Sequence, residues 1–158
     1  MTFPEPGAEN QYLAAHIQLL KANYERRLGR PFGFPEMTDP AELAQAIYEA
    51  PYLVLSHNAD ADAVFTYGNL AAQKLFGYAW AELTQLPSRL SAEAPNQEER
   101  AKFLAAVNRQ GFAAGYSGVR INREGRRFLI QDVTVWNLED SAGIYQGQAA
   151  LYHRWQWL

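Results

Sequence analysis

The stretch YGNLAAQKLFGY, residues 67–78, decides the fold. Tyr67 closes a β-prone run, Asn69 follows two residues later, and a short run with helical spacing then ends at Gly77. An asparagine side chain can accept from the free amides of a first helical turn. A glycine supplies the left-handed exit. The reading is a strand that passes directly into a helix of about two turns. A helix that short is marginal alone in water, so larger elements must clamp it.

Working outward, YLVLSH (52–57) and VFTYG (64–68) read as two strands joined by the turn ADAD. Upstream, Asp39, Pro40 and Glu42 fill the N-cap, N1 and N3 positions of a helix whose Leu43 and Ile47 face inward, and Pro51 stops it. Residues 1–7 read as a loose arm. From Asn10 to Leu28, apolar residues at Leu13, Ile17, Leu20, Tyr24 and Leu28 make one stripe of an amphipathic helix, ended by Gly29 and Pro31. Downstream, a second short helix runs from Trp80 to Leu86. A third is capped at Asn96, with Glu99 at N3, and buries Phe103, Leu104 and Val107.

The remainder is β. YSGVRI, RFLIQDVTVWNL and IYQGQAALYHRW are strands linked by turns at Gly125 and Gly143, short enough to require antiparallel pairing. Strict alternation puts Phe128, Ile130 and Trp136 on one face of the long strand, with Leu129, Val133 and Val135 on the other. In the last strand it sets Tyr152 against Leu151 and Trp155. The class is α+β: a five-stranded antiparallel sheet with short helices on one face. The expected division is an arm and amphipathic helix over residues 1–38 and a sheet domain over 39–158. A sheet apolar on both faces must be covered on both. The short helices serve one; the N-terminal helix or a second subunit serves the other.

Composition narrows the chemistry. The 158 residues contain no cysteine, which excludes disulfides, thiolate metal sites and a cysteine nucleophile together. A net charge of −3 argues against a broad nucleic-acid surface. The local clusters Arg26, Arg27, Arg30 and Arg123, Arg126, Arg127 read as solvated. No apolar run approaches 18 residues and the first residues lack a signal-peptide pattern, so the expectation is a cytoplasmic protein without a membrane span. Nine Tyr, eight Phe and four Trp point to a bulky core, a ligand pocket or a partner surface.

The order of two strands, short helices and a three-stranded meander resembles the PAS fold, and VFTYGNLAAQKLFGYAWAEL resembles its strand-to-helix segment. Seven fragments in order carry a narrower match: HIQLLKANYERRLGRP, YLVLSH, YGN, LPSRLSAE, NQEER, GYSGVRI and TVWNLED. Together they resemble the MEKHLA domain, a PAS-related family found in stand-alone bacterial proteins, over nearly the whole chain. The resemblance implies a sensory or interaction module that holds ligands between sheet and short helices.

Covalent flavin chemistry is excluded, because it needs a cysteine; non-covalent flavin is not. Haem is disfavoured because the helix before the meander has no histidine. His16, His57 and His153 are too scattered for a metal site. The polar candidates for a ligand are His57, Arg89, Tyr116, Arg120 and Gln131, with Tyr67, Trp80, Phe103 and Trp136 among the walls. Arg89 and Arg120 suit a carboxylate or phosphate; the alternative is a salt bridge to Glu93, Glu98 or Glu99. A space smaller than a small metabolite needs, roughly 300 Å³, would remove the ligand-binding expectation. The leading expectation is a module that binds a small organic molecule, with arginines suited to an anion, and signals by association. The second is a ligand-free interaction module, a homodimer or the docking site of a regulatory partner, meeting through Leu13, Ile17, Leu20, Tyr24, Trp155 and Trp157. The third is a small enzyme using His57, with Ser56 or Ser88 and Asp132.

Overall fold

The computed structural model describes residues 3–158. A 3₁₀ turn over Ala8–Leu13 leads into α1 (Ala14–Leu28), then α2 (Pro40–Tyr48), β1 (Leu53–His57), β2 (Phe65–Gly68), α3 (Leu70–Phe76), α4 (Trp80–Leu83), α5 (Ala94–Gln110), β3 (Phe112–Ile121), β4 (Arg127–Glu139), β5 (Tyr145–Tyr152) and β6 (Arg154–Trp157). The strands form one antiparallel sheet in the order β2-β1-β5-β4-β3, with β6 also on β4. The strand expected over 144–155 is thus broken at His153, and its second part pairs the first half of β4.

Asn69 does more than cap. Its Oδ1 accepts from Ala72 N at 3.2 Å and from Val54 N at 3.2 Å. Its Nδ2 donates to the carbonyls of Ile47 and Tyr52. One fully buried amide therefore fixes α3, the start of β1 and the end of α2 together, and Gly77 takes the left-handed exit. The clamp demanded by so short a helix is this side chain.

The long strand departs from strict alternation. Tyr116 pairs Val133 and Gly118 pairs Ile130, so β4 spends three residues where β3 spends two. The extra residue sits beside Asp132, whose φ of 53° is left-handed. Such a bulge turns every later side chain to the opposite face. Phe128, Ile130, Val133 and Val135 consequently share the inner face, under α3 and α5, while Trp136 and Leu138 lie on the outer face. The break at His153 has the same effect, placing Tyr152 and Trp155 together inside and Leu151 outside. The face expected for Trp136, and the pairing of Leu151 with Trp155, are both corrected by these two irregularities.

The outer face is covered within the chain. Leu13, Ile17, Leu20 and Tyr24 are buried against Trp136, Leu138, Ala149 and Leu151. Trp136 Nε1 donates to Leu20 O at 3.1 Å, and its ring meets those of Tyr24 and Phe32 edge-on. These four helix residues are core rather than partner contacts: an amphipathic stripe gains the same apolar burial in cis without losing the freedom of a second body. Start positions also shift. α1 begins at Ala14, after left-handed Gln11, Tyr12 and Leu13. α5 begins at Ala94 with Glu93 at the N-cap, three residues before the expected cap at Asn96.

Candidate functional site

A cavity lies between the inner face and the helices α3 and α5. β1 contributes Leu55 and His57; β5 contributes Gln148, Ala150 and Tyr152; α5 contributes Arg100 and Phe103; β3 contributes Tyr116 and Arg120. Ala150 lies between Leu55 and Val135 across the sheet, and its small side chain leaves the floor open. Its volume is about 60 Å³. At about 10–15 Å³ per water that is room for about four to six waters. It is short of the roughly 300 Å³ of a metabolite pocket, which overturns the expectation of a metabolite-sized site.

The walls are apolar, but the polar groups among them are poorly satisfied. Arg120 is 5% exposed. It donates to Val119 O at 2.8 Å and to the Tyr116 hydroxyl at 3.2 Å. Tyr116 in turn donates to Glu99 and stacks on Phe103 at 3.7 Å. Arg100 is half-buried; burial and the neighbouring Arg120 together lower its guanidinium to about 10. The nearby carboxylates are engaged elsewhere: Glu93 by Arg127, Glu98 by Lys102, and Glu99, whose field reaches Arg100, by Tyr116. Two guanidiniums thus face one apolar cavity, with no salt bridge to either among the described residues. The Tyr152 hydroxyl and His57 Nε2 are buried without a hydrogen-bond partner. Burial lowers the His57 imidazole to about 4, so it is neutral at pH 7.

The structure divides the sequence candidates. His57, Phe103, Tyr116 and Arg120 come together at this cavity. Tyr67, Trp80 and Trp136 do not: they belong to the core cluster that contains α1. Tyr67 shares that cluster because the β1–β2 pairing slips between Ser56 and His57. Trp80 Nε1 donates to Phe3 O at 3.0 Å, so the arm expected to be loose is tied down there. Gln131 pairs Arg154 beside the bulge and lies off the cavity. Arg89 is exposed and pairs with Asp62 at 3.0 Å, rather than with an anion or with Glu93, Glu98 or Glu99. Trp155 packs against the inner core, and Trp157 covers Phe128 while remaining 38% exposed. Arg100, Gln148 and Tyr152 complete the cavity. Their signal was available for Tyr152 alone, through the strand pattern; Arg100 sits on a helix of low amphipathicity, where one arginine looks like another.

The serine–histidine–carboxylate constellation does not assemble. Ser56 Oγ bonds His16 Nε2 at 2.9 Å and Thr66 Oγ1 at 2.7 Å, on the outer side. His57 Nδ1 is held by Asn58 O, and Asp132 lies at the surface near Arg154. Among the described residues, no cluster of three or more metal-ligating side chains occurs. Nor is any helix long and apolar enough to cross a membrane.

The MEKHLA domain profile matches residues 14–157. The chain belongs to the MEKHLA domain family. No curated protein matches it. Its fold is similar to that of the PAS domain of a Colwellia psychrerythraea protein, with a TM-score of 0.58 and 15% identity, over 70% of this chain and 91% of that one. An RNA-binding light-oxygen-voltage receptor gives a TM-score of 0.62 at 21% identity, over 76% of this chain and 35% of the receptor. A light-oxygen-voltage domain solved with a flavin analogue gives 0.59 at 15%, over 74% and 84%. At these identities the likeness is one of fold: this MEKHLA domain has the PAS architecture. The flavin of such domains does not fit here. The cavity is too small for a tricyclic ring, and the sequence has no cysteine to bond one.

Proposed function

We propose that this MEKHLA domain is a sensory module that binds a compact organic anion between α5 and the inner face of its sheet. The observation that carries this is the pair Arg100 and Arg120, both on the cavity and neither neutralised by a carboxylate. A buried or half-buried cation without a counter-ion is costly, and a ligand carboxylate relieves that cost. Tyr152 adds a free hydroxyl near Arg120, whose charge acts on the phenol. The 60 Å³ volume restricts the ligand to a handful of non-hydrogen atoms.

Signalling by association is part of the same reading. With α1 folded onto its own sheet, the exposed large apolar side chains are Leu70, Leu90, Phe112, Ile144, Trp157 and Leu158, and the last two, 38% and 61% exposed, adjoin at the end of the sheet as a surface for a partner. The test is calorimetric titration of the full chain with propionate and with inorganic phosphate. Binding of either, lost in Arg100→Met and Arg120→Met but kept in Arg89→Ala, supports the reading. Equal affinity in Arg100→Met and the wild type, or no binding of either anion, overturns it.

A further inference from the structure

The cavity has a second polar end that an anion alone leaves unsatisfied. His57 and Gln148 are cross-strand partners, and Tyr152 lies four residues further along β5, opposite Leu53. At about 3.3 Å per residue, the two ends of the cavity are about 13 Å apart between backbones, with Ala150 between them. Arg120 bonds the Tyr116 hydroxyl at 3.2 Å, and Tyr116 pairs Val133, whose neighbour Thr134 pairs Leu151, so Arg120 is at the Tyr152 end. Arg100 lies one turn before Leu104, whose carbonyl accepts from Gln148, and its charge reaches His57. The cations therefore sit toward one end and over the middle, and the imidazole closes the other end.

The hydrogen-bonding role of that imidazole is fixed. His57 Nδ1 lies 3.0 Å from Asn58 O. A carbonyl only accepts, so Nδ1 carries the proton and Nε2 presents a lone pair. Gln148 acts on this imidazole but supplies it no donor: its two Nε2 protons go to Leu104 O and to Asn137 Oδ1, each at 3.1 Å. Nε2 is thus a buried acceptor without a donor. Leaving such a group unpaired costs about what a hydrogen bond is worth, or more.

Taking the anion site of the preceding section as its basis, we infer that the ligand is a short hydroxycarboxylate: its carboxylate is held by Arg100, Arg120 and the Tyr152 hydroxyl, and its own hydroxyl donates to His57 Nε2. An ammonium at that end is disfavoured by the guanidinium beside it. A plain carboxylate would fill the cationic end and leave the imidazole unpaired. Selection for the hydroxyl thus comes from the cost of the unmet acceptor, and the apolar floor around Ala150 accepts the intervening carbons.

The experiment titrates the full chain with propionate, 2-hydroxypropionate and 3-hydroxypropionate. At least one hydroxy acid is expected to bind about tenfold tighter than propionate. In His57→Leu that preference disappears, the hydroxy acids and propionate binding alike. As a check within the wild-type protein, the ¹⁵N resonance of His57 Nε2 moves on adding the preferred hydroxy acid and not on adding propionate. Propionate binding as tightly as both hydroxy acids, or an unmoved Nε2 resonance, overturns the hydroxyl assignment while leaving the anion site standing. If all three acids fail to bind, the hydroxycarboxylate assignment falls, and if inorganic phosphate fails as well, the anion site falls with it.

Discussion

The two faces of the sheet bury similar side chains and behave differently. The outer face is closed by α1, and much of its polarity is spent inside the chain. Trp136 donates to Leu20 O, Asn23 bonds both the amide and the carbonyl of Glu139, and Trp80 reaches Phe3 O. Tyr52 and Tyr67 do leave buried hydroxyls unpartnered there. The inner face also leaves two such atoms, on His57 and Tyr152. What distinguishes it is what surrounds them: open space over Ala150 and two cations without carboxylates. An unmet hydrogen bond alone marks no site. The proposed anion site rests on its coincidence with a void and an uncompensated charge.

The largest way to break this division is to remove the bulge. Deleting Asp132 would return β4 to strict alternation and turn one half of its apolar residues to the wrong face. The expected outcome is loss of cooperative unfolding and of near-ultraviolet circular dichroism. A variant that keeps both would show that the bulge does not set the faces. Next is Trp136→Ala, which empties the contact with α1 and should cost about 3–5 kcal/mol in urea denaturation, with little change in anion binding by the folded fraction.

Acid should weaken both faces. His16 and His57 are each lowered to about 4 by burial, against about 6.5 unfolded. Between those values the unfolded chain binds the extra protons. Stability is therefore full above about pH 6.5 and is lost as pH falls toward 4, by about 3 kcal/mol per histidine at most. Urea midpoints measured from pH 7.5 to 4 check this, and a flat profile in the wild type would contradict it.

Arg100→Met sharpens the comparison by sign. It should abolish anion binding and yet raise stability without ligand by about 0.5–1 kcal/mol, because it removes a like charge from beside Arg120. The same substitution at a purely structural arginine would lower stability. The smallest effect belongs to Arg89→Ala: an exposed pair with Asp62 is worth about 0.5 kcal/mol, and neither stability nor affinity should move beyond that.

Much of the fold was legible because it follows from local chemistry. Asn69 and Gly77 bounded α3, Asp39 and Pro40 opened α2, and the meander followed from its turn glycines. What failed was whatever depended on a single residue out of register. Asp132 and His153 each break the period of two, and no composition signal marks either, so every side chain beyond them was assigned to the wrong face. That error put Trp136 on the face of Phe128 and Ile130 and so into the candidate site. The cavity itself was half legible. Aromatic and arginine candidates were plentiful, but distinguishing Arg89 from Arg100 requires knowing that the partner of one, Asp62, comes from a turn 27 residues away.

One feature of α5 reaches beyond the cavity. Of its 17 residues, Val107 alone is fully buried; toward its C-terminal end it is held by the Phe103–Tyr116 stack and by carbonyls that accept from Asn137 and Gln148, and toward its N-terminal end by the exposed bond of Tyr116 to Glu99. The half that carries Arg100 is therefore the loosely moored half. On the proposed function, an occupant that neutralises Arg100 would moor it, and the expected outcome is slower amide deuterium uptake along residues 94–104 without rearrangement of the sheet.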